Sequence, residues 1–212
     1  MFGRLIKNMF SSDDEKAPRL LEKIDQLQIG DMLDMSDSFG LPACLREQSF
    51  EVKSIDSYYY DERLETEWEL LSSDKKPVFV SMDSEDSDMD ACFSLQLKRK
   101  DVDAILGWDK LLSILDAEEG ADITLSSTEQ PEGWLAETYH CVEFNNRASY
   151  LEGDHRGRNS APGGRESFKY SKFVSEDETR SFEIERWSKN EIDVFVAVLR
   201  PISDIKDFWP KS

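Results

Sequence analysis

Residues 180–199 read RSFEIERWSKNEIDVFVAVL and indicate the fold class most clearly. In the second half of this stretch apolar residues occupy every other position, at Ile192, Val194, Val196 and Val198. This alternation is typical of a strand with one buried face. A second strand is predicted over residues 180–187, and Lys189-Asn190 between the two predicts a tight hairpin. The stretch therefore predicts antiparallel β-structure.

Segments of the same character lie on both sides of it. They cover residues 49–60, 67–71, 77–82, 92–98, 134–144, 147–151 and 166–174. In the first of them Phe50 and Val52 alternate, and the phase then shifts at Ile55, which predicts a β-bulge or a bend. Polar turns and an acidic run separate the segments of the first half, and this pattern favours an antiparallel meander.

Helical periodicity occurs in fewer segments. Residues 101–116 predict one helix, with a buried stripe formed by Val102, Ile105, Leu106, Leu112 and Leu115. Pro18 suits the first turn of a second helix, which is expected to end at Gly30. One short helical turn is predicted over residues 202–208.

The order of these elements predicts an α+β protein with mostly antiparallel β-sheets and a few helices. Two strand sets around a central helix suggest two similar halves, and Ser49-Phe50-Glu51-Val52 matches Ser181-Phe182-Glu183-Ile184. We expect two sheets that share one core in one globular unit. Its predicted parts are an amphipathic segment and linker over residues 1–16, a first β-rich half over 17–116, a connector over 117–131 and a second β-rich half over 132–212.

Composition limits the classes of partner and the compartment. The chain of 212 residues has 45 acidic and 26 basic side chains and a formal net charge of −19. Such a charge repels phosphates, so we expect no nucleic-acid partner, and it favours solubility and cationic protein partners. Three cysteines without paired spacing (Cys44, Cys92 and Cys141) indicate a reducing compartment. Because no apolar stretch approaches ~20 residues, we expect a cytoplasmic protein without a transmembrane segment.

Familiar catalytic and metal-binding patterns are not found in the sequence. It has no phosphate-binding glycine loop, no dinucleotide fingerprint and no nucleophile elbow. His140 and Cys141 are neighbours on a predicted strand and therefore point to opposite faces, which argues against a nucleophile and base pair. Two histidines and three scattered cysteines show no zinc-ligand spacing. We predict no catalytic residue, no metal site and no cofactor.

An acidic run, DSEDSDMD, covers residues 83–90. Asp86, Asp88 and Asp90 resemble the start of a calcium loop, but Ala91 and Leu97 stand where such a loop needs Gly and Glu, which excludes an EF-hand. The three aspartates are candidates for binding a cation or a basic partner. The alternative is a solvated hairpin turn whose charges discourage edge pairing.

A glycine-rich basic loop, GDHRGRNSAPGGR, covers residues 153–165. Its arginines, Arg156, Arg158 and Arg165, are candidates for binding a carboxylate or phosphate through bidentate hydrogen bonds. The alternative is a mobile loop without a ligand.

The first ten residues predict a basic amphipathic helix. Its apolar face is formed by Phe2, Leu5, Ile6, Met9 and Phe10. Such a face can dock on a partner helix or make weak contact with a membrane surface. We favour a protein partner, because the acidity of the remaining chain opposes anionic lipid.

Several short motifs together resemble a bacterial family of uncharacterised domains, number four-one-seven-eight among the domains of unknown function. They are Ile29-Gly30-Asp31, Phe50-Glu51-Val52, Trp68-Glu69-Leu70-Leu71, an acidic turn after the next strand, Tyr170, Glu183-Ile184-Glu185-Arg186-Trp187, and Ile202 with Ile205. The resemblance covers roughly residues 27–208. It implies an accessory role beside phage-shock-protein-like membrane-stress proteins and polyamine-linked ligases or transferases. It implies no catalytic residues.

From these observations we expect a non-enzymatic accessory or adaptor protein that binds other macromolecules, in a bacterial envelope-stress or polyamine-linked system. One alternative is an acidic inhibitor or immunity-type protein that neutralises a basic toxin or nuclease. Another is a carboxylate-dependent enzyme with Glu137, Glu143, Asp154 and Arg156 near a cleft. Converging carboxylates with a raised pKa in a cleft would favour the enzyme. The sequence leaves the oligomeric state open.

Overall fold

The computed structural model describes residues 19–60, 63–82, 90–157 and 164–211. Within these ranges the chain forms eleven strands and two α-helices. The strands are β1 (Met32–Met35), β2 (Ser49–Tyr60), β3 (Arg63–Leu71), β4 (Pro77–Met82), β5 (Asp90–Leu97), β6 (Ile123–Thr124), β7 (Thr138–Leu151), β8 (Glu166–Val174), β9 (Arg180–Arg186), β10 (Ile192–Pro201) and β11 (Ile205–Trp209). The helices are α1 (Arg99–Ile105) and α2 (Trp108–Leu115). Two 3₁₀ turns lie at Ile24–Gln26 and Ile202–Asp204.

The strands form one antiparallel sheet that closes on itself. Its order is β11-β1-β2-β3-β4-β5-β10-β9-β8-β7-β6, and β2 also pairs with β7. The first half of β2 pairs with β1, and its second half pairs with β7 from Ser57 opposite Leu151 to Tyr60 opposite Ala148. Eight strands, from β2 to β5 and from β7 to β10, therefore form a closed cycle of pairings, which we call the ring.

The ring consists of two four-stranded meanders. Their first strands, β2 and β7, pair with each other, and so do their last strands, β5 and β10. The expectation of two sheets was therefore wrong, because both meanders belong to one continuous sheet. The matching tetrapeptides lie on β2 and β9, a first and a third strand, and do not mark equivalent strands. Similarity between the halves stays a prediction.

One face of the sheet carries the main apolar core. It includes Trp68 and Leu70 on β3, Phe93 on β5 and Phe182 on β9, all buried. Helices α1 and α2 and the segment before β1 pack on this face, through buried side chains that include Leu27, Val102 and Leu111. Burial of each large apolar side chain contributes about 1.5–3 kcal/mol. The opposite face, which we call the polar face, carries polar side chains and a smaller aromatic cluster that includes Phe168 and Tyr170.

The predicted helix over residues 18–30 is reduced to the 3₁₀ turn Ile24–Gln26 among the residues described. Leu27 leaves the turn with an extended backbone, at φ −59° and ψ 138°. Its carbonyl oxygen accepts hydrogen bonds from Trp68 Nε1 at 3.3 Å and from Arg156 at 3.0 Å. A continuing helix would use that carbonyl internally, so these tertiary contacts favour the extended path.

The predicted helix over residues 101–116 is two helices, α1 and α2, that meet at Gly107. Gly107 has φ 86° and ψ 124°, a conformation that is strained for any residue with a Cβ. The Asp103 carboxylate accepts a hydrogen bond from the Trp108 backbone N–H at 2.9 Å and so satisfies the start of α2. The glycine permits the break, and the aspartate stabilises the new helix start.

The strand predictions are largely confirmed. The bounds of β2, β4 and β8 match the predicted segments, and the pairing of β2 with β3 shifts register between Val52 and Ser54, close to the predicted bulge. Residues 134–151, predicted as two strands, contain the single strand β7 with two irregularities. The turn predicted over residues 202–208 is helical only at Ile202–Asp204 and continues as β11. In the described ranges, no helix has the length and apolar character needed to cross a membrane.

Candidate functional site

A cavity of about 460 Å³, which we call the ring cavity, lies on the polar face of the ring. All eight strands of the ring contribute to its wall. Its carboxylates on the ring strands are Glu65, Glu67, Glu143 and Glu183, and its tyrosines are Tyr58, Tyr60 and Tyr170. Such a volume is typical of a small-molecule site.

The alternation of strand residues places these groups. On β3, Trp68 and Leu70 point into the apolar core, so Glu65 and Glu67 point to the other face. Glu65 lies opposite Tyr58 on β2. The polar groups are thus placed by the same pattern that builds the core.

The far wall is formed by β8 and β9 in register. Tyr170 lies opposite Glu185, and Lys172 lies opposite Glu183. Lys172 Nζ is 3.6 Å from Glu183 Oε1. In the ring order, β9 is four strands from β3 in either direction. Carboxylates therefore face each other across the cavity.

The Glu67 carboxyl is the most informative group of the wall. Burial raises its pKa to about 8, and the negative charge of Glu183 acts in the same direction. The Glu67 side chain keeps some accessible surface because it faces the cavity, although protein surrounds it. Burial, and then the charge of Glu67, also raises the pKa of Glu185 well above its usual value. At neutral pH the Glu67 carboxyl in the cavity wall is therefore mostly protonated.

The tyrosines form an aromatic wall next to these acids. The ring centroids of Tyr60 and Tyr170 are 4.7 Å apart, and Tyr58 stacks on Tyr60 at 6.0 Å. Burial, and then nearby carboxylates, raise the pKa of Tyr60 and of Tyr170 well above 10. Both hydroxyl groups therefore stay neutral at physiological pH and can donate hydrogen bonds.

The cavity also has positive charge and room for a molecule larger than an ion. Arg63, Lys172 and Arg180 line it together with the carboxylates. Within the described residues, no group of three or more His, Cys, Asp or Glu side chains is arranged to hold a metal ion. The arrangement can hydrogen-bond a polar molecule on several sides and balance positive charge on it.

The structure separates the arginines of the predicted anion site. Arg156 donates hydrogen bonds to the carbonyl oxygens of Asp25 and Leu27, pairs with Asp154 at 2.5 Å and lies 5.3 Å from the Trp68 ring centre. It therefore ties its loop to the segment before β1. Arg165 lies over the Tyr59 ring at 4.6 Å, on the face opposite Tyr58 and Tyr60. Arg158 is outside the described residues, and anion binding by this set stays a prediction.

The other predicted sites fall mostly outside the described ranges. This holds for Asp86 and Asp88 and for the N-terminal docking residues Phe2, Leu5, Ile6, Met9 and Phe10. Asp90 is half-buried at the start of β5, opposite Pro201. Of the four residues proposed for a carboxylate enzyme, Glu143 lines the ring cavity, and Glu137, Asp154 and Arg156 are not in its wall.

Sequence reasoning missed Glu65, Glu67, Glu183 and Glu185. Glu183 and Glu185 alternate with Phe182 and Ile184, and Glu65 and Glu67 lie between Leu64 and Trp68. Both patterns also fit an ordinary strand with one solvated face. The available signal was the run Tyr58-Tyr59-Tyr60, which puts tyrosines on both faces of β2, since large aromatics are unusual on a solvated face.

No match for this chain was found among models of known protein families, curated proteins or solved structures.

Proposed function

We propose that this protein is a non-enzymatic binding protein that takes a small organic cation into the ring cavity and acts as an accessory or adaptor protein. The observation that carries the proposal is the pair formed by Glu67 and Glu183. Burial, and then the negative charge of Glu183 across the cavity, raise the pKa of Glu67 to about 8.

A cation is the ligand that this electrostatic arrangement favours. Burial, and then the charge of Glu183, raise the pKa of Glu67, so a charged Glu67 beside Glu183 is unfavourable without a compensating positive group. A positive group between them would compensate both charges, and Glu67 would release its proton. Each unit by which the pKa falls on binding corresponds to about 1.4 kcal/mol of coupling between cation and proton.

The lining favours an organic cation over a metal ion. Tyr58, Tyr60 and Tyr170 line the cavity. Aromatic faces attract ammonium groups by about 0.5–2 kcal/mol each. A volume of about 460 Å³ also suits an organic molecule with several carbon atoms.

The biological setting of the proposal rests on the family resemblance. That resemblance implies an accessory role in a bacterial envelope-stress or polyamine-linked system, and a linear polyamine is an organic cation of suitable chemistry. A protein partner and a cytoplasmic location belong to the same proposal. The basic-toxin inhibitor stays the alternative among binding proteins.

The proposal is tested by calorimetric titration at pH 8 with 1,4-diaminobutane and with 1,4-butanediol, which has the same chain but no charge. We expect the wild-type protein to bind the diamine and not the diol. Glu67→Gln should weaken diamine binding about tenfold or more, because loss of one buried charge contact costs 1.4 kcal/mol or more. Glu166→Gln removes an exposed carboxylate of β8 and is the matched control.

Equal affinity of Glu67→Gln and wild type for the diamine would contradict the proposal, as would equal binding of diamine and diol. Circular dichroism of both variants checks that the sheet is intact. Retained affinity in Glu166→Gln together with lost affinity in Glu67→Gln locates the diamine in the ring cavity.

A carboxylate-dependent enzyme is the second candidate. The pKa of about 8 at Glu67 favours it, since a protonated Glu67 can serve as general acid near the charged Glu183. Mass spectrometry of the diamine after prolonged incubation with the protein distinguishes a binding protein from an enzyme. Recovery of unchanged diamine supports the binding protein, and a converted product supports the enzyme.

A further inference from the structure

A second concave surface lies on the opposite face of β7, β8 and β9. We call it the outer groove and define it by Tyr59, Arg147, Arg165, Lys169, Arg186 and Lys189. Its volume is about 780 Å³. Tyr59 and Lys169 alternate along their strands with Tyr58 and Tyr170 of the ring cavity, and Arg147 lies opposite Lys169, so these groove residues point away from that cavity. Ala148, Phe168 and Trp187, which belong to the aromatic cluster of the other face, line the edge of the groove.

The charge of the outer groove is opposite to that of the molecule. Five of its twelve lining residues are Arg or Lys, and no Asp or Glu lines it within the described ranges. In the whole chain, acidic residues outnumber basic ones by 45 to 26. A positive surface of this kind in a protein with net charge −19 is a local exception.

Three of these cations lie side by side in the sheet. Arg147 on β7 is opposite Lys169 on β8, and Lys169 is opposite Arg186 on β9. Adjacent strands are about 4.8 Å apart, so the row is about 10 Å long. Like charges directly opposite each other in a sheet are destabilising. The row is therefore an arrangement that an anion would stabilise.

The middle and one end of the row are open to an anion. Arg147 and Lys169 are exposed. Arg186 is already engaged, since it pairs with Asp116 at 2.9 Å and donates a hydrogen bond to the Leu115 carbonyl oxygen at 3.3 Å. Beside the row, Arg165 lies over the Tyr59 ring at 4.6 Å. Serine hydroxyls also line the groove, at Ser149, Ser167 and Ser188.

We propose that the outer groove binds a short acidic segment of a protein partner. Carboxylates match the exposed guanidinium and ammonium groups, and the tyrosine and serines offer the mixed contacts that a peptide uses. A long nucleic acid fits less well, because it would run from a row of about 10 Å onto a surface that repels phosphates. The outer groove and the ring cavity share no lining residue, and Arg147 and Lys169 are absent from the cavity wall, so the test does not depend on the proposed function.

The test measures fluorescence anisotropy of labelled hexaglutamate and hexaglutamine with the full-length protein. We expect hexaglutamate to bind more tightly than hexaglutamine, although the protein and hexaglutamate both carry a net negative charge. The double variant Arg147→Glu/Lys169→Glu should lose hexaglutamate binding by about tenfold or more, since these charges would repel the probe. Lys100→Glu/Lys206→Glu has the same change in net charge on α1 and β11 and should lose less than about threefold.

Equal losses in the two double variants would overturn the proposal, because they would show attraction by net charge alone. Failure of the wild-type protein to prefer hexaglutamate over hexaglutamine would also overturn it. A labelled single-stranded oligonucleotide serves as the competing probe. Tighter binding of the oligonucleotide, lost in the groove variant, would assign the groove to nucleic acid and against the proposed peptide. Unfolding midpoints close to wild type exclude loss of structure as a cause, since all four substituted side chains are exposed.

Discussion

Glu67 is the residue whose environment depends most on closure of the ring. It lies on β3 next to Trp68, which points the other way into the apolar core. In an open sheet such a glutamate would face water and keep its ordinary pKa. In the closed ring it faces Glu183 on the opposite wall, and burial raises its pKa to about 8. Because this pKa is raised only in the folded protein, the free energy of unfolding depends on pH.

Glu67→Gln should make the protein more stable at pH 8 and change little at pH 5. Between the ordinary pKa of 4.5 and about 8, folded Glu67 binds a proton and unfolded Glu67 does not. Stability therefore falls as pH rises through this window, and a neutral glutamine removes that fall. We expect a gain of roughly 1–4 kcal/mol at pH 8, on the scale of 1.4 kcal/mol per pKa unit. Urea unfolding at pH 5, 6, 7 and 8 measures it.

The control for this prediction is Glu166→Gln, which removes an exposed carboxylate from β8. Its pH profile should run parallel to that of the wild type. If the Glu67→Gln profile is also parallel to the wild type, Glu67 does not hold its proton in the folded protein and the electrostatic description of the cavity is wrong.

The acidic residues of the ring cavity wall could be predicted from the sequence only in part. The strand positions of Glu183 and Glu185 follow from the alternation of residues 180–187, which the structure confirms as β9. Which face is enclosed depends on closure between β2 and β7, and no local pattern near Glu183 reports on it. From the sequence, Glu183 and Glu185 are therefore expected on a solvent-exposed face.

At the scale of elements, β2 is the strand on which the ring depends. It exchanges one partner, β1, for another, β7, along its length. Where β7 begins to pair, Ser57 is fully buried. Its Oγ donates to the Gly153 carbonyl oxygen at 3.0 Å and accepts from the His155 N–H at 3.2 Å. Ser57 thereby fastens the loop after β7 to the closing strand.

Ser57→Ala should destabilise the protein by about 1–3 kcal/mol, because it removes the hydrogen-bond partner of two partly buried groups, the Gly153 carbonyl and the His155 N–H. Urea unfolding at pH 7 measures the loss. Ser149→Ala is the comparison, since Ser149 lies on β7 in the same pairing but faces the outer groove. That variant should stay within about 0.5 kcal/mol of wild type. Equal stability of the two variants would contradict the role assigned to Ser57.

The elements differ in how far their sequences determine them. Residues 77–82 and 166–174 have enough alternation to predict β4 and β8 with their observed bounds. Short strands such as β1 and β11 escaped prediction, because four or five residues cannot be distinguished from a loop without their partner. The helix predicted over residues 101–116 is two helices in the structure because Gly107 adopts a positive φ. Helical periodicity does not reveal such a break.

At the scale of the whole molecule, two surfaces of one sheet differ in charge. The ring cavity has acidic and basic groups together, whereas the outer groove is lined by cations without Asp or Glu among the described residues. Carboxylates line the ring cavity, and a row of three cations lines the outer groove. The net charge of −19 is a sum over the whole chain and shows neither the ring cavity nor the outer groove. Local sequence patterns predict an antiparallel β-rich protein. The pairing of β2 with β7, about ninety residues apart in the chain, is what encloses one face of the sheet as a cavity.

The most direct test of the ring cavity as a cation site is the proton released when a diamine binds. Calorimetric titration of 1,4-diaminobutane at pH 7, in buffers of different ionisation enthalpy, gives that number. Because the pKa of Glu67 is about 8, the account predicts a binding enthalpy that varies with the buffer, with release approaching one proton per diamine, and no such variation in Glu67→Gln. A wild-type binding enthalpy that is the same in every buffer would contradict the account.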